Sequence, residues 1–170
     1  MKTKKTAKAE EKTLQFYDKN AQEWGEAHHG FEEESFWKRE MEQFNKLLPK
    51  GKVLEIGSGT GKDAANLIGL GYDYIGTDAS IGLLELARKR NPNNAFIKVR
   101  VQDLTKRFSE DEFDGFWTVA TLLHIPKHEI AGALDGINHI VKNDGIGFIS
   151  VKQGEGEKED ETGRLFAYYS

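Results

Sequence analysis

The sequence of 170 residues contains no cysteine, which excludes disulfides, a thiolate nucleophile, iron–sulfur clusters and any zinc site with cysteine ligands. It also lacks a long apolar run. Nothing approaches the roughly 20 residues that a membrane helix needs, and the basic start, Met1 to Lys12, has no apolar stretch of the kind found in a secretory signal. A cytoplasmic protein without a membrane partner is expected. Neither charge sign dominates: 24 Lys+Arg stand against 28 Asp+Glu, a net charge of −4. That balance argues against nucleic acid as a partner, because neutralising phosphates takes clustered cationic surface. The dense basic cluster of Lys2, Lys4, Lys5 and Lys8 reads as a solvated, frayed terminus. No internal repeat or heptad is present.

What remains is a globular composition, 38% hydrophobic and 31% charged with 18 glycines, in a chain of one-domain length. Leu14, Tyr17, Ala21 and Trp24, then Phe36, Met41, Phe44, Leu47 and Leu48, recur at helical spacing. They predict helices over 13–28 and 35–48, with a loop over 28–34 between them. From Lys50 onward, short β-rich runs alternate with helical segments, the pattern of a parallel sheet with crossover helices. Strands are expected at 52–56, 72–77, 95–101, 113–120 and 145–151, and helices at 62–70, 80–90 and 127–142. The stretch 152–170 opens with a glycine- and acid-rich run that cannot bury a face and reads as a loop.

The most informative segment is Val53-Leu54-Glu55-Ile56-Gly57-Ser58-Gly59-Thr60-Gly61-Lys62-Asp63, a strand entering a glycine-rich turn and then a helix. Such a turn lets backbone approach a ligand at the carboxyl end of a strand. A phosphate-binding P-loop fails, since it requires Gly at Ile56 and Ser or Thr at Asp63. A dinucleotide fingerprint needs its third glycine where Lys62 stands, and it would set Glu55 beside a pyrophosphate that repels it. S-adenosylmethionine (SAM) carries a sulfonium and an ammonium and no phosphate, so Glu55 becomes attractive. The next strand ends in Asp78-Ala79-Ser80, where Asp78 can accept both hydroxyls of a ribose or serve as a helix N-cap. Beyond the third strand, in Val101-Gln102-Asp103-Leu104, Asp103 can accept from an adenine amino group while Leu104 packs on the ring; alone it is a turn aspartate.

With Glu55-x-Gly57-x-Gly59-x-Gly61 as a first motif, Asp78 as a second and Asp103 as a third, the chain resembles the class I SAM-dependent methyltransferases. The resemblance continues through Phe113 to Pro126, through Tyr17-Asp18 with Ala21, which is similar to the family's lid helix, and through Lys152, Gly154 to Glu157, Asp160 and Gly163-Arg164. It implies an α/β, Rossmann-like, doubly wound sheet of order 3-2-1-4-5, mostly parallel, with helices on both faces. The organisation it implies is one methyltransferase domain: an N-terminal helical lid over 1–49, a core over 50–151 and a substrate-side loop and tail over 152–170. It further implies that Glu55 and the backbone of Gly57, Ser58, Gly59, Thr60 and Gly61 bind the methionine end, Asp78, Ala79 and Ser80 the ribose, and Gln102, Asp103 and Leu104 the adenine. Ala120 would offer its carbonyl to the ammonium, and Tyr17 would close over the cofactor.

Transfer from a sulfonium is an in-line displacement in which the protein mainly orients the nucleophile and excludes water. His124 is the candidate base, or a structural residue bonded to a backbone carbonyl. Arg164 is the candidate group for a carboxylate or phosphate on the substrate, or a surface ion pair with Glu155, Glu157 or Asp160. His28, His29, Phe31, Trp37, Tyr168 and Tyr169 are possible pocket walls. No metal is expected, since adjacent histidines on a helix point about 100° apart. The family's Asn-Pro-Pro-Tyr-like turn, typical of members that methylate amino groups in nucleic acid or protein, is replaced here by Ala120-Thr121-Leu122-Leu123. A small-molecule acceptor is therefore expected, with S-adenosylhomocysteine (SAH) as product. The family's sheet ordinarily continues with two more strands, and this sequence ends at Ser170; either it is a truncated piece, or a shorter sheet leaves the fifth strand's edge exposed or covered by a homo-oligomer or partner. The alternative is a SAM-binding non-catalytic or partner-dependent subunit. A nicotinamide-dependent oxidoreductase on the same fold is disfavoured by Glu55 and Lys62.

Overall fold

Five short runs of β-favouring residues form one parallel sheet. The computed structural model describes residues 4–27 and 37–170. Its sheet comprises β1 (Lys52–Ile56), β2 (Asp73–Asp78), β3 (Ala95–Lys98), β4 (Phe113–Val119) and β5 (Val141–Ser150), in the order β3-β2-β1-β4-β5 with every pair parallel. Connecting helices are α4 (Lys62–Gly69), α5 (Ile81–Arg90) and α6 (Ile130–Ile140), preceded by α1 (Lys4–Lys19), α2 (Ala21–Ala27) and α3 (Lys38–Leu47). This is the expected Rossmann-like order.

Alternation along β1 shows why both faces need helices. Val53 enters one apolar cluster with Met41 and Phe44 of α3, Leu67 of α4 and Leu84 of α5, while Leu54 and Ile56 enter another with Ala133, Ile137 and Ile140 of α6. A strand buried on both sides reads as a nearly continuous apolar run, so Glu55, charged and buried where Lys52 at the strand's start is only half-buried, stands out. A register shift between Phe113 and Gly115 puts Phe113 and Phe116 against the same cluster, although their separation is odd. Trp117 then turns to the opposite side, where it stacks on Phe148 with centroids 4.0 Å apart.

Several expectations need correction. The N-terminal helix begins at Lys4 rather than near Thr13, and it breaks at Asn20 instead of running through to residue 28. Its Lys-, Ala- and Glu-rich start has strong helix propensity, and it is anchored: Ala9 is buried, Lys12 bonds Glu159 at 2.7 Å, and Gln102 bonds Glu10 at 2.7 Å. From Ala9 onward the helix is therefore anchored to the rest of the molecule. The loop expected over 28–34, the start of the second helix at 35, and His28, His29 and Phe31 lie outside the described residues. Strand β3 stops at Lys98, and Val101–Lys106 form a 3-10 helix.

The larger correction concerns 152–170. Instead of a loop it forms a second sheet of order β6-β8-β7, from β6 (Lys152–Gln153), β7 (Glu157–Glu159) and β8 (Leu165–Tyr169). Strands β7 and β8 make an antiparallel hairpin, with Leu165, Phe166 and Ala167 buried. The acidic run pairs because its partner strand supplies the apolar face. Among the described residues β5 is hydrogen-bonded on one side only, to β4, and Ile149 and Val151 beside that open edge are 43% and 37% exposed. No helix among the described residues is long and apolar enough to cross a membrane.

Candidate active site

The carboxyl ends of β1, β2 and β4 open into a cavity of about 870 Å³, roofed by α1 and walled by the second sheet. Small-molecule sites span roughly 300–1,000 Å³, and this one lies in the upper part of that range.

Its floor is the turn after β1. Gly57 N and Ser58 N both donate to Thr77 O at 2.8 Å, which folds the turn back over β2. Gly57, with φ +75°, sits so close to Thr121 that a Cβ would lie 1.9 Å from its Oγ1. Gly59, with φ +54°, has open space around the position a Cβ would take, the condition for close approach of a ligand. Gly61 plays a different part, preceding α4 with φ +74° and packing against Asn91 and Ala87 of the α5 region, and it does not line the cavity. Ser58 is 5% exposed, and its Oγ is buried at the cavity wall without a hydrogen-bond partner among the described residues.

Three carboxylates gather there. Glu55, 4% exposed, accepts a hydrogen bond from the Tyr74 hydroxyl. Burial and then the nearby Asp63 push its pKa well above the usual carboxylate range, against the Tyr74 bond. Asp63 is itself raised by burial, although it accepts from Trp117 Nε1 at 3.0 Å. Asp78 accepts from Gly59 N at 2.9 Å through Oδ2 and from Ser80 N at 2.8 Å through Oδ1, and burial raises it against those bonds. A carboxylate offers about four lone-pair sites, so Asp78 keeps acceptor capacity after organising the turn. Ser80 caps α5, its Oγ accepting from Leu83 N at 3.2 Å and donating to Asp18 Oδ1 at 2.6 Å. Asp18 also accepts from Gly82 N, and a Cβ at Gly82 would meet Asp18 O at 2.9 Å and Ala21 Cβ at 3.0 Å. Small residues at 21 and 82 thus let the lid helices lie directly on the start of α5.

The remaining predicted residues separate into two groups. Ala79, Thr60, Gln102 and Ala120 line the cavity, Ala120 in a left-handed conformation with φ +51°. Asp103 and Leu104 do not, which corrects the expectation for them. The 3-10 helix turns Asp103 outward to Lys106 Nζ at 2.6 Å and sends Leu104, 1% exposed, into the core; Arg100, Val101 and Gln102 line that end instead. Tyr168 and Tyr169 are absent from the lining, whereas Trp37 is present.

At the far end, Tyr17, His124 and Arg164 come together. His124 Nδ1 lies 2.6 Å from Leu165 O, which only accepts, so Nδ1 carries the proton and Nε2 accepts from the Tyr17 hydroxyl at 2.9 Å. Burial pushes the His124 pKa down to about 4, with Arg164 and Lys152 acting in the same direction against the Leu165 bond. The carbonyl bond expected of a structural histidine is made, and the other nitrogen is engaged by the Tyr17 hydroxyl. Tyr17 is raised by burial, which outweighs the lowering influence of Arg164. Arg164 donates through Nε and Nη2 to Asp160 Oδ2 at 3.0 and 2.8 Å, and its guanidinium lies 4.4 Å from the Phe16 ring centroid, 5.2 Å from that of Trp24 and 5.3 Å from that of Phe166. Lys152 Nζ lies 4.1 Å from the Phe166 centroid.

Sequence reading missed Thr13 and Phe166 as cavity residues. Thr13 donates to Ala9 O and accepts from Leu165 N at 2.9 Å, a contact between distant segments that leaves no local signature. Among the described residues, no cluster of His, Asp and Glu has the arrangement of a metal site.

Comparison with known proteins bears on the fold and the family. Protein-L-isoaspartate O-methyltransferase from Chlorobium phaeobacteroides is 40% identical over 93 residues, 52% of this chain and 42% of that enzyme, so the chain spans less than half of that relative's length. The DhpI-SAM-HEP complex superposes with a TM-score of 0.72 at 20% identity, covering 98% of this chain and 82% of that one. The Burkholderia thailandensis 1,6-didemethyltoxoflavin-N1-methyltransferase, solved with 1,6-didemethyltoxoflavin and S-adenosylhomocysteine, gives a TM-score of 0.71 at 18% identity over 99% of this chain and 74% of that one. These two likenesses show the fold. A family model described as a methyltransferase domain matches residues 53–145, more than half of the sequence, and the chain belongs to that methyltransferase family.

Proposed function

We propose that the protein transfers a methyl group from SAM to a small-molecule acceptor and releases SAH. The observation that carries this reading is Glu55, a buried acid on the floor of the cavity whose hydrogen bond comes from a neutral phenol. A buried carboxylate seeks a cationic partner, and a ligand ammonium or sulfonium provides one where a diphosphate would be repelled. The unpartnered Ser58 Oγ and the open space over Gly59 fit the same ligand, since buried polar atoms are normally satisfied. Glu55 and the 57–60 turn would hold the amino-acid end, Asp78 with Ala79 and Ser80 the ribose, Gln102 the adenine end, and Ala120 and Tyr17 the region around sulfur. SAM would supply an electrophilic methyl group, and this chain would orient the acceptor and exclude water. In this reading the lid over 1–49, the core over 50–151 and the segment 152–170 work as one cytoplasmic unit. The named relatives act on oxygen and on nitrogen, so family membership leaves the acceptor atom open.

Isothermal titration with SAM, SAH and NAD in parallel tests the assignment. Micromolar binding of the two adenosyl ligands and none of NAD is expected; binding of NAD alone would overturn it. A second outcome follows from Glu55. Its carboxyl group has a raised pKa in the free protein, and a bound ammonium favours the ionised form, so binding releases a proton and SAM affinity rises with pH through that pKa. Titrations in buffers of different ionisation enthalpy measure the release directly, and a heat independent of the buffer would remove Glu55 from the ligand site.

The open edge of β5, flanked by Ile149 and Val151, favours a second reading in which activity depends on a partner or second copy pairing there. Turnover that appears only above a threshold protein concentration would support it.

A further inference from the structure

Resting on the methyltransferase reading, we infer that the acceptor is a small molecule that binds as an oxyanion, a carboxylate or a phosphonate or phosphate, held by Arg164 and Lys152 against the aromatic wall of the cavity. The argument starts from charge. Of the acidic residues lining the cleft, Glu55, Asp63 and Asp78 sit around the turn after β1 and the end of β2, where the cofactor would lie, and Glu10 of α1 bonds Gln102; Lys62, Arg90 and Arg100 line the cleft as well. The opposite wall carries Arg164 and Lys152, and His124 there is neutral at physiological pH. Asp160 lies behind Arg164 and offsets one of the two cations. Among the described residues one positive charge remains on that wall, and the sulfonium adds another. A cationic acceptor would meet both, whereas an anion is attracted by both.

Arg164 is prepared for such a ligand. Asp160 engages its Nε and one terminal nitrogen, and Asp160 itself is held near a pKa of 2: burial alone would raise it, but the Thr162 hydroxyl, the Arg164 backbone N–H and the guanidinium outweigh that. The aromatic rings of Phe16, Trp24 and Phe166 hold the plane of the guanidinium, and the side chain is 14% exposed. A guanidinium carries five N–H donors in a fixed fork; Tyr17 also interacts with it, and the donors that Asp160 and Tyr17 leave are fixed in direction, which suits charge-assisted recognition of an oxyanion. Lys152, on β6 with its ammonium against Phe166, supplies a mobile second charge.

The chemistry agrees with an acceptor that is already ionised. Nε2 of His124 receives the Tyr17 proton, and burial makes protonation of the ring unfavourable, so this pair is poorly suited to removing a proton from a neutral nucleophile. An oxyanion needs no base. Its oxygen takes the methyl group, the bonding pair of the methyl–sulfur bond stays on sulfur, and the negative charge of the acceptor cancels the positive charge of the sulfonium. The products are a methyl ester and a neutral thioether, with no proton left to place.

The test uses the full chain saturated with SAH and titrated with four probes of similar shape: benzoate, phenylphosphonate, benzamide and benzylamine. Binding of at least one of the two anions roughly tenfold or more tighter than the neutral amide is expected, the scale of a charge-assisted hydrogen bond, with benzylamine weakest. Arg164→Gln should remove that preference while SAH still binds. Lys152→Gln, at an exposed position, should reduce it in a protein of unchanged thermal stability. Benzamide or benzylamine binding as tightly as the better anion would overturn the proposal while leaving the cofactor assignment intact. Loss of anion and SAH affinity in equal measure in Arg164→Gln would also overturn it, by making Arg164 a support for the lid. Failure of the wild-type chain to bind SAH would overturn the methyltransferase reading beneath it.

Discussion

Asp78→Ala is expected to weaken SAM binding by about 1–3 kcal/mol, the usual loss when hydrogen bonds to a charged group are removed, or roughly 5- to 150-fold in Kd. The structure adds a reason to expect the upper part of that range. Asp78 accepts from the backbone of both Gly59 and Ser80, so alanine takes away the proposed ribose acceptor and also the tie between the glycine turn and the start of α5. Asp78→Asn separates the two contributions, because it retains an acceptor for one backbone N–H while removing the charge. Titration of both variants is the check: the asparagine variant should bind more tightly than the alanine variant and less tightly than the wild type. Unchanged SAM affinity in Asp78→Ala would remove this residue from the site.

Gly57→Ala is expected to cost the fold about 2–5 kcal/mol, combining roughly 1–2 kcal/mol for a left-handed conformation with about 1–3 kcal/mol for overpacking. Rotating Thr121 offers little relief. The added carbon would lie 1.9 Å from its Oγ1, 2.5 Å from its Cγ2 and 2.6 Å from its Cβ, so every rotamer collides and the backbone must move. Gly59→Ala is the internal control, with φ +54° and no atom within 4 Å; it should cost only the conformational part, about 1–2 kcal/mol. For a domain of this size one kcal/mol moves Tm by about 2–4 °C. Thermal denaturation without ligand should therefore place Gly57→Ala clearly below Gly59→Ala. Equal melting temperatures would show that Thr121 yields, and that the first glycine is needed only for its φ.

The parts of this molecule that can be read from sequence are those whose cause is local. Each strand of the main sheet is a short β-rich run closed by Gly, Asp or Asn, and parallel crossovers follow from the alternation with helices. Glu55, Gly57, Gly59 and Asp78 are legible for the same reason: their chemistry depends on neighbours within one strand–turn–helix unit. Asp103 misleads because Asp-Leu after a strand fits two geometries, and only the 3-10 helix decides which residue faces outward and which enters the core. The second sheet is illegible for a different reason. Glu157–Glu159 has little intrinsic β tendency and becomes a strand because Leu165–Tyr169 pairs with it. Thr13, Arg164 and His124 meet only through that pairing.

Those same contacts bear on the order in which the molecule assembles. The bond from Leu165 N to Thr13 Oγ1 joins positions 152 residues apart in the chain, whereas β1 and β2 pair across a single crossover helix. Closing the longer loop carries the greater entropic cost and brings in the most non-local contacts. The acceptor wall is therefore assembled late, after the sheet that carries the glycine turn. Early in refolding the central sheet is expected to form while Trp24, whose ring lies 5.2 Å from the Arg164 guanidinium, is still in water. Lid fluorescence should then recover more slowly than far-UV ellipticity, and the amides joining β8 to α1 should exchange with solvent before those of β1 and β4.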